Sequence, residues 1–143
     1  EIFVAAMRKY LSDGLQSVRQ ELSRRDTRLL DRLVGAMDEW FGRHIETFDR
    51  DALDVIEAGD LLLSPEIEEY ATAFQRQIET ALANDPEFVK RQNVCTPAGI
   101  AKVLFVFGLS WKNRGTKRAE FLSNMRICIQ ACCQLPEKRK GRS

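Results

Sequence analysis

The sequence is poor in the residues from which most catalytic and metal sites are built. It holds a single histidine, His44, and four cysteines. Without a second imidazole, a serine or cysteine nucleophile has no evident base, and the familiar zinc-ligand spacings are absent. No glycine-rich phosphate loop is present, because the stretch from Gly108 to Gly115 lacks the P-loop pattern and follows no strand. The carboxylate pairs Asp38-Glu39 and Glu68-Glu69 fall among regular helix residues and read as solvated. No stretch alternates apolar and polar residues with a partner stretch to pair with, which argues against a sheet. No run reaches the ~20 apolar residues that a bilayer span needs. No repeat and no low-complexity linker divides the chain. Together these absences point away from an enzyme, a bound metal or a cofactor.

What is present is helical periodicity. The 143 residues are 44% hydrophobic and 30% charged, enough apolar mass for one core in one domain. The most apolar run, residues 97–111, carries Lys102 as its only charge. Thr96 suits the N-cap, Pro97 the first turn and Gly115 the far end. A helix apolar on all sides belongs inside an all-α domain, so the other helices are expected to pack around it. In chain order, residues 1–13 form an amphipathic first helix with Gly14 as a stop, and residues 15–25 either extend it or loosen into a connection. Asp26 or Thr27 caps a long helix to about Thr47, on which Leu29, Leu30, Leu33, Val34, Met37, Trp40, Phe41 and Ile45 recur three and four residues apart. A shorter helix restarts at Asp49 or Asp51. Ser64-Pro65 opens another over 65–83, with Ile67, Tyr70, Ala71, Phe74, Ile78 and Leu82 on one face. Residues 87–91 make a turn of helix. A last helix over 116–134 turns Phe121, Leu122, Met125, Cys128, Ile129 and Cys132 inward. The domain is therefore residues 1–135, and 136–143 form a basic, flexible tail.

Charge is lopsided although the net is only +1. Residues 112–143 carry nine basic and two acidic side chains, which leaves −6 on the first 111. Such a surface, with Lys112, Arg114, Lys117, Arg118 and the 138–142 tail, suits nucleic acid or an anionic membrane surface; a solvated face with a loose tail is the plainer reading. Cys128, Cys132 and Cys133 lie close together on a helix, a poor disulfide framework that fits a reducing compartment. His44 is expected at the solvent or at the edge of the core.

Three stretches resemble motifs of the Bcl-2 family of apoptosis regulators. Gly99-Ile-Ala-Lys-Val-Leu-Phe-Val-Phe-Gly108 is similar to that family's first homology motif, and residues 1–12 to its first helix. Val55-Ile-Glu-Ala-Gly-Asp-Leu-Leu62 resembles the third homology motif, for which Leu33-Val-Gly-Ala-Met-Asp-Glu-Trp40 is a second register. Pro97, Ala98, Gly99 and Ile100 stand where the family has Asn-Trp-Gly-Arg, so the arginine that pairs with an incoming aspartate is replaced. The tryptophan-bearing second motif and the tail anchor have no counterpart in the sequence.

The resemblance implies an all-α, Bcl-2-like bundle of six to seven amphipathic helices around a central hydrophobic helix. It implies a pro-survival protein, similar to the compact homologues of large DNA viruses, cytoplasmic or at the mitochondrial surface of a host cell. Its partners would be pro-apoptotic Bcl-2 family proteins, whose death-motif helix lies in a hydrophobic groove. The groove would draw on Leu33, Ala36, Met37, Trp40 and Phe41 in one register, and Val55, Ala58 and Leu62 in the other. Phe74, Gly99, Ile100, Val103 and Phe107 would complete it, with Lys102 or Arg91 as the charge partner. A homodimer covering the groove, an unrelated helical interaction domain, and a nucleic-acid or anionic-lipid binder are the alternatives.

Overall fold

The computed structural model of the chain describes residues 2–45, 64–91, 94–112 and 116–135. The described residues are all helical or connecting, with no strand among them. The helices are α1 (Ile2–Leu22), α2 (Leu29–Trp40), α3 (Ser64–Ala83), α4 (Pro86–Lys90), α5 (Pro97–Gly108) and α6 (Arg118–Cys133). Single 3-10 turns follow α2 at Gly42–His44 and α5 at Leu109–Lys112. The restarted helix expected from Asp49, its residues Val55, Ala58 and Leu62, Gly115 and the basic tail lie outside the described residues.

The longer helices deliver stripes at helical spacing to one core, and the short α4 adds Phe88. α3 contributes Phe74, Ile78 and Leu82, all fully buried, and α6 contributes Phe121, Met125, Ile129 and Cys133 at strict four-residue steps. Burying side chains of this size contributes roughly 1.5–3 kcal/mol each. α2 is the most deeply set, with Leu29, Leu30, Leu33, Val34, Ala36 and Met37 buried between α1 on one side and α6 on the other. On α6, Leu122, Cys128 and Cys132 reach only the edge of the core, and Cys133, one position on, takes the inner place. An aromatic cluster ties three helices together. Trp40 stacks on Phe74 with ring centres 5.2 Å apart, and Phe41 lies 5.7 Å from Phe74 and 5.6 Å from Phe105.

Three helix ends differ from their sequence expectation. Gly14 does not stop α1, which continues to Leu22. The glycine serves packing: Trp40 crosses its bare Cα so closely that a β-carbon there would sit 3.0 Å from Trp40 Cζ3. That contact is set against the ~1 kcal/mol which an interior glycine costs a helix. α2 ends at Trp40 rather than near Thr47, because Phe41 leaves the helical region at φ −121° and Gly42–His44 tighten into a 3-10 turn. Its N-cap is Arg28, with no side-chain cap, instead of Asp26 or Thr27.

Other helix ends show their own chemistry, and Lys117 precedes α6 with no side-chain cap. Asp85 Oδ1 accepts from the backbone N–H groups of Glu87 and Phe88 at 3.0 and 3.1 Å to start α4. Gln134, in the left-handed region at φ 54°, closes α6. Ion pairs lace the helices together, at the surface between Arg8 and Glu66, Arg118 and Asp38, and Arg126 and Asp31, and in a largely buried place between Arg32 and Asp85.

Candidate peptide-docking face

α5 is built as its sequence dictates. Thr96 Oγ1 accepts from Gly99 N–H at 3.0 Å, Pro97 occupies the first turn, and the apolar run then has no polar side chain but Lys102 to interrupt it. Packing decides which side of this uniformly apolar helix is covered. Ile100, Ala101, Leu104 and Gly108 are buried against α3 and α6, and Phe105 and Phe107 pack partly against the core. The remaining side faces solvent: Val103 is 50% exposed, Val106 61% and Leu109 39%. The expectation that α5 is enclosed on every side is therefore corrected. Its neighbours flank it on two sides, and a helix of even apolarity offers whatever side they leave.

On a helix, positions three, four and seven apart share a face. Gly99, Val103 and Val106 form one such row, and Lys102, Val106 and Leu109 form the adjacent one. The product is an apolar strip with one cation one turn from its centre. Lys102 is exposed on it.

The residues that the resemblance implicates divide into three groups. Leu33, Ala36, Met37, Phe41, Phe74 and Ile100 are core side chains with at most 3% of their surface exposed, so they line no open groove. Trp40 and Phe107 are half-buried, and Gly99 and Val103 are exposed. Val55, Ala58 and Leu62 lie outside the described residues. Val106, absent from the motif-based set, is the most exposed large apolar residue of α5; its signal in the sequence is the i+3 spacing from Val103.

The two candidate charge partners differ in availability. Arg91 donates to the Gln134 carbonyl at 2.8 Å and to Glu87 Oε1 at 3.3 Å, which fastens the end of α4 to the end of α6. Within the basic C-terminal third, Arg118 grips both carboxylate oxygens of Asp38 at 3.0 and 2.6 Å. Lys117 is exposed.

His44 sits at the core edge and serves structure. The Tyr10 hydroxyl lies 2.6 Å from Nδ1 and 2.7 Å from Nε2, within hydrogen-bond reach of either ring nitrogen. Burial, reinforced by the nearby Arg43 charge, lowers the imidazole to about 4, while burial raises Tyr10 to about 12. The four cysteines are all thiols. Burial pushes Cys133 up to about 12 and Cys128 up to about 11, the neighbouring thiols adding to both shifts. Such groups stay protonated and pack as small apolar residues. Among the described residues no group of three or more histidine, cysteine or acidic side chains could hold a metal, and no helix is long and apolar enough to cross a membrane.

No family model matches the sequence, and no curated protein and no solved structure matches the chain.

Proposed function

We propose that this chain is a Bcl-2-like, pro-survival binding protein that takes the amphipathic death-motif helix of a pro-apoptotic partner on the exposed face of α5. The observation that carries the reading is the strip of Val103, Val106 and Leu109, which leaves large apolar side chains in water on the helix with the closest likeness to a Bcl-2 motif. A partner helix with apolar residues at i, i+3, i+4 and i+7 would cover that strip. Phe107, on the same helix, would add half-buried aromatic surface. Lys102 would meet the partner's aspartate in place of the family's arginine, as a point charge rather than a two-pronged fork, so it would fix register more than affinity. The act is binding, with no bond made or broken.

Titration calorimetry against a panel of such helices tests this. Submicromolar binding, lost when the peptide's central leucine is changed to glutamate and when Val106 is changed to glutamate, is the expected result. Binding that persists in the Val106→Glu protein would move the site off α5. Failure of every peptide to bind would end the groove-binding reading. Low salt sensitivity is expected throughout, whereas binding to nucleic acid or anionic lipid through the basic C-terminal third would fall steeply as salt rises.

A further inference from the structure

Three of the four cysteines share α6, and packing treats them differently. Cys133 is fully buried, whereas Cys128 and Cys132 stand at the edge of the core, each partly open to solvent. The two edge residues are four apart, one turn of helix, so their side chains lie one above the other on the same face. Their thiols meet there in a hydrogen bond. Both residues keep part of their surface in water, so the pair is open to an ion from solvent and Cys133 is not.

A helix holds such a pair with about 5–6 Å between β-carbons. A disulfide needs about 3.5–4.5 Å, so closing one here would have to distort α6. A metal ion between the sulfurs fits the wider spacing, because two metal–sulfur bonds of roughly 2.3 Å laid end to end part the sulfurs by roughly 4.6 Å. Thiolates select soft metals. Among these, zinc and iron–sulfur clusters call for four ligands, and among the described residues no group of three or more histidine, cysteine or acidic side chains could hold an ion. Cys95, exposed before α5, and Cys133, turned into the core, therefore add no third ligand. What two thiolates hold by themselves is a soft monovalent ion that accepts linear two-coordination.

We infer that Cys128 and Cys132 form a two-coordinate site for Cu(I). Binding replaces two S–H bonds by two S–Cu bonds and sends both protons to water. Copper stays in the +1 state, so no oxidant or reductant takes part. The missing zinc-ligand spacings do not bear on such a site, which draws on one pair and not on four ligands. The core edge behind the pair is apolar and keeps competing water from that side. The pair lies on α6, and its chemistry is independent of what docks on α5.

The experiment is titration of the full, reduced chain with Cu(I) under anaerobic conditions, in competition with the coloured chelator bicinchoninate. The expected result is one Cu(I) taken per chain, with two sulfur neighbours in X-ray absorption spectra. Cys128→Ser and Cys132→Ser should each weaken binding by more than about a hundredfold, beyond the ~10–100-fold that loss of an outer-shell partner costs. Cys95→Ser and Cys133→Ala should bind as the parent chain does. Because serine at the core edge can cost stability, the unsubstituted chain supplies a second reading: bound Cu(I) should shield Cys128 and Cys132 from iodoacetamide and leave Cys95 reactive. Failure to take the ion from the chelator would overturn the site. So would three sulfur neighbours, binding that survives either serine substitution, or shielding of Cys95 in place of the pair.

Discussion

Replacing Gly108 with alanine places one methyl group where the Phe41 ring now lies against the backbone of α5. The added carbon would stand 2.5 Å from Phe41 Cδ2 and 2.8 Å from Cζ. Phe41 cannot yield cheaply, because it is 3% exposed and packed between Phe74 and Phe105. Crowding of a tight core costs about 1–3 kcal/mol. Alanine's better helix propensity returns at most ~0.5–1 kcal/mol, and less at a helix end. The net loss should be about 1–2 kcal/mol, a fall of roughly 3–8 °C in Tm for a domain of this size. Gly35→Ala is the matched control in α2. There the new carbon meets only the Glu21 side chain, with Cγ at 2.6 Å and Cδ at 2.8 Å, and a partly exposed carboxylate arm can swing aside. That variant should be neutral or up to ~1 kcal/mol more stable. Thermal and urea unfolding followed by circular dichroism measures both, and a Phe41→Leu background should shrink the Gly108→Ala penalty if the two residues are coupled. Equal Tm shifts for the two glycine variants, or an undiminished penalty in the Phe41→Leu background, would refute the close approach of Phe41 to α5.

Stability should also fall as pH drops from about 6.5 toward 4, because over that window the unfolded chain protonates His44 while the folded chain, with the imidazole lowered to about 4, does not. Below the folded value both states are protonated and this contribution stays lost; His44→Gln should flatten that part of the urea-midpoint profile. Removing Arg118, which grips Asp38 with two hydrogen bonds but is 45% exposed, should cost no more than ~1 kcal/mol. The loss should shrink at high salt, checked by urea unfolding at two ionic strengths. Alkylation with iodoacetamide, mapped by mass spectrometry, should modify exposed Cys95 first and Cys133, buried and raised to about 12, last.

The all-helical class and most helix starts were legible because they depend on local chemistry. Apolar residues three and four apart mark the stripes that carry Phe74, Ile78 and Leu82, and Thr96-Pro97 supplies a cap and a first turn that need no distant partner; Asp85-Pro86, legible as a break, also caps and opens α4. Of the candidate docking face, Val103 and Lys102 could be read from the motif. Which side of α5 remains in water could not, since its sequence is nearly uniform and only the placement of α3 and α6 breaks the tie.

The same division holds for the glycines and the cysteines. As a sequence, Gly14 looks like a helix stop; with Trp40 laid across it, it is a contact point inside α1. Cys128 and Cys132 stand one helical turn apart in the sequence, and Cys132 and Cys133 are adjacent. That Cys133 takes the inner place and the other two stay at the edge depends on how α6 is turned against α2 and α5. The sequence by itself determined where helices start and which stripe of each is apolar, because backbone propensity and capping act within a few residues. Tertiary structure alone decided which apolar surface stays exposed and which thiols face the core, because those follow from long-range packing.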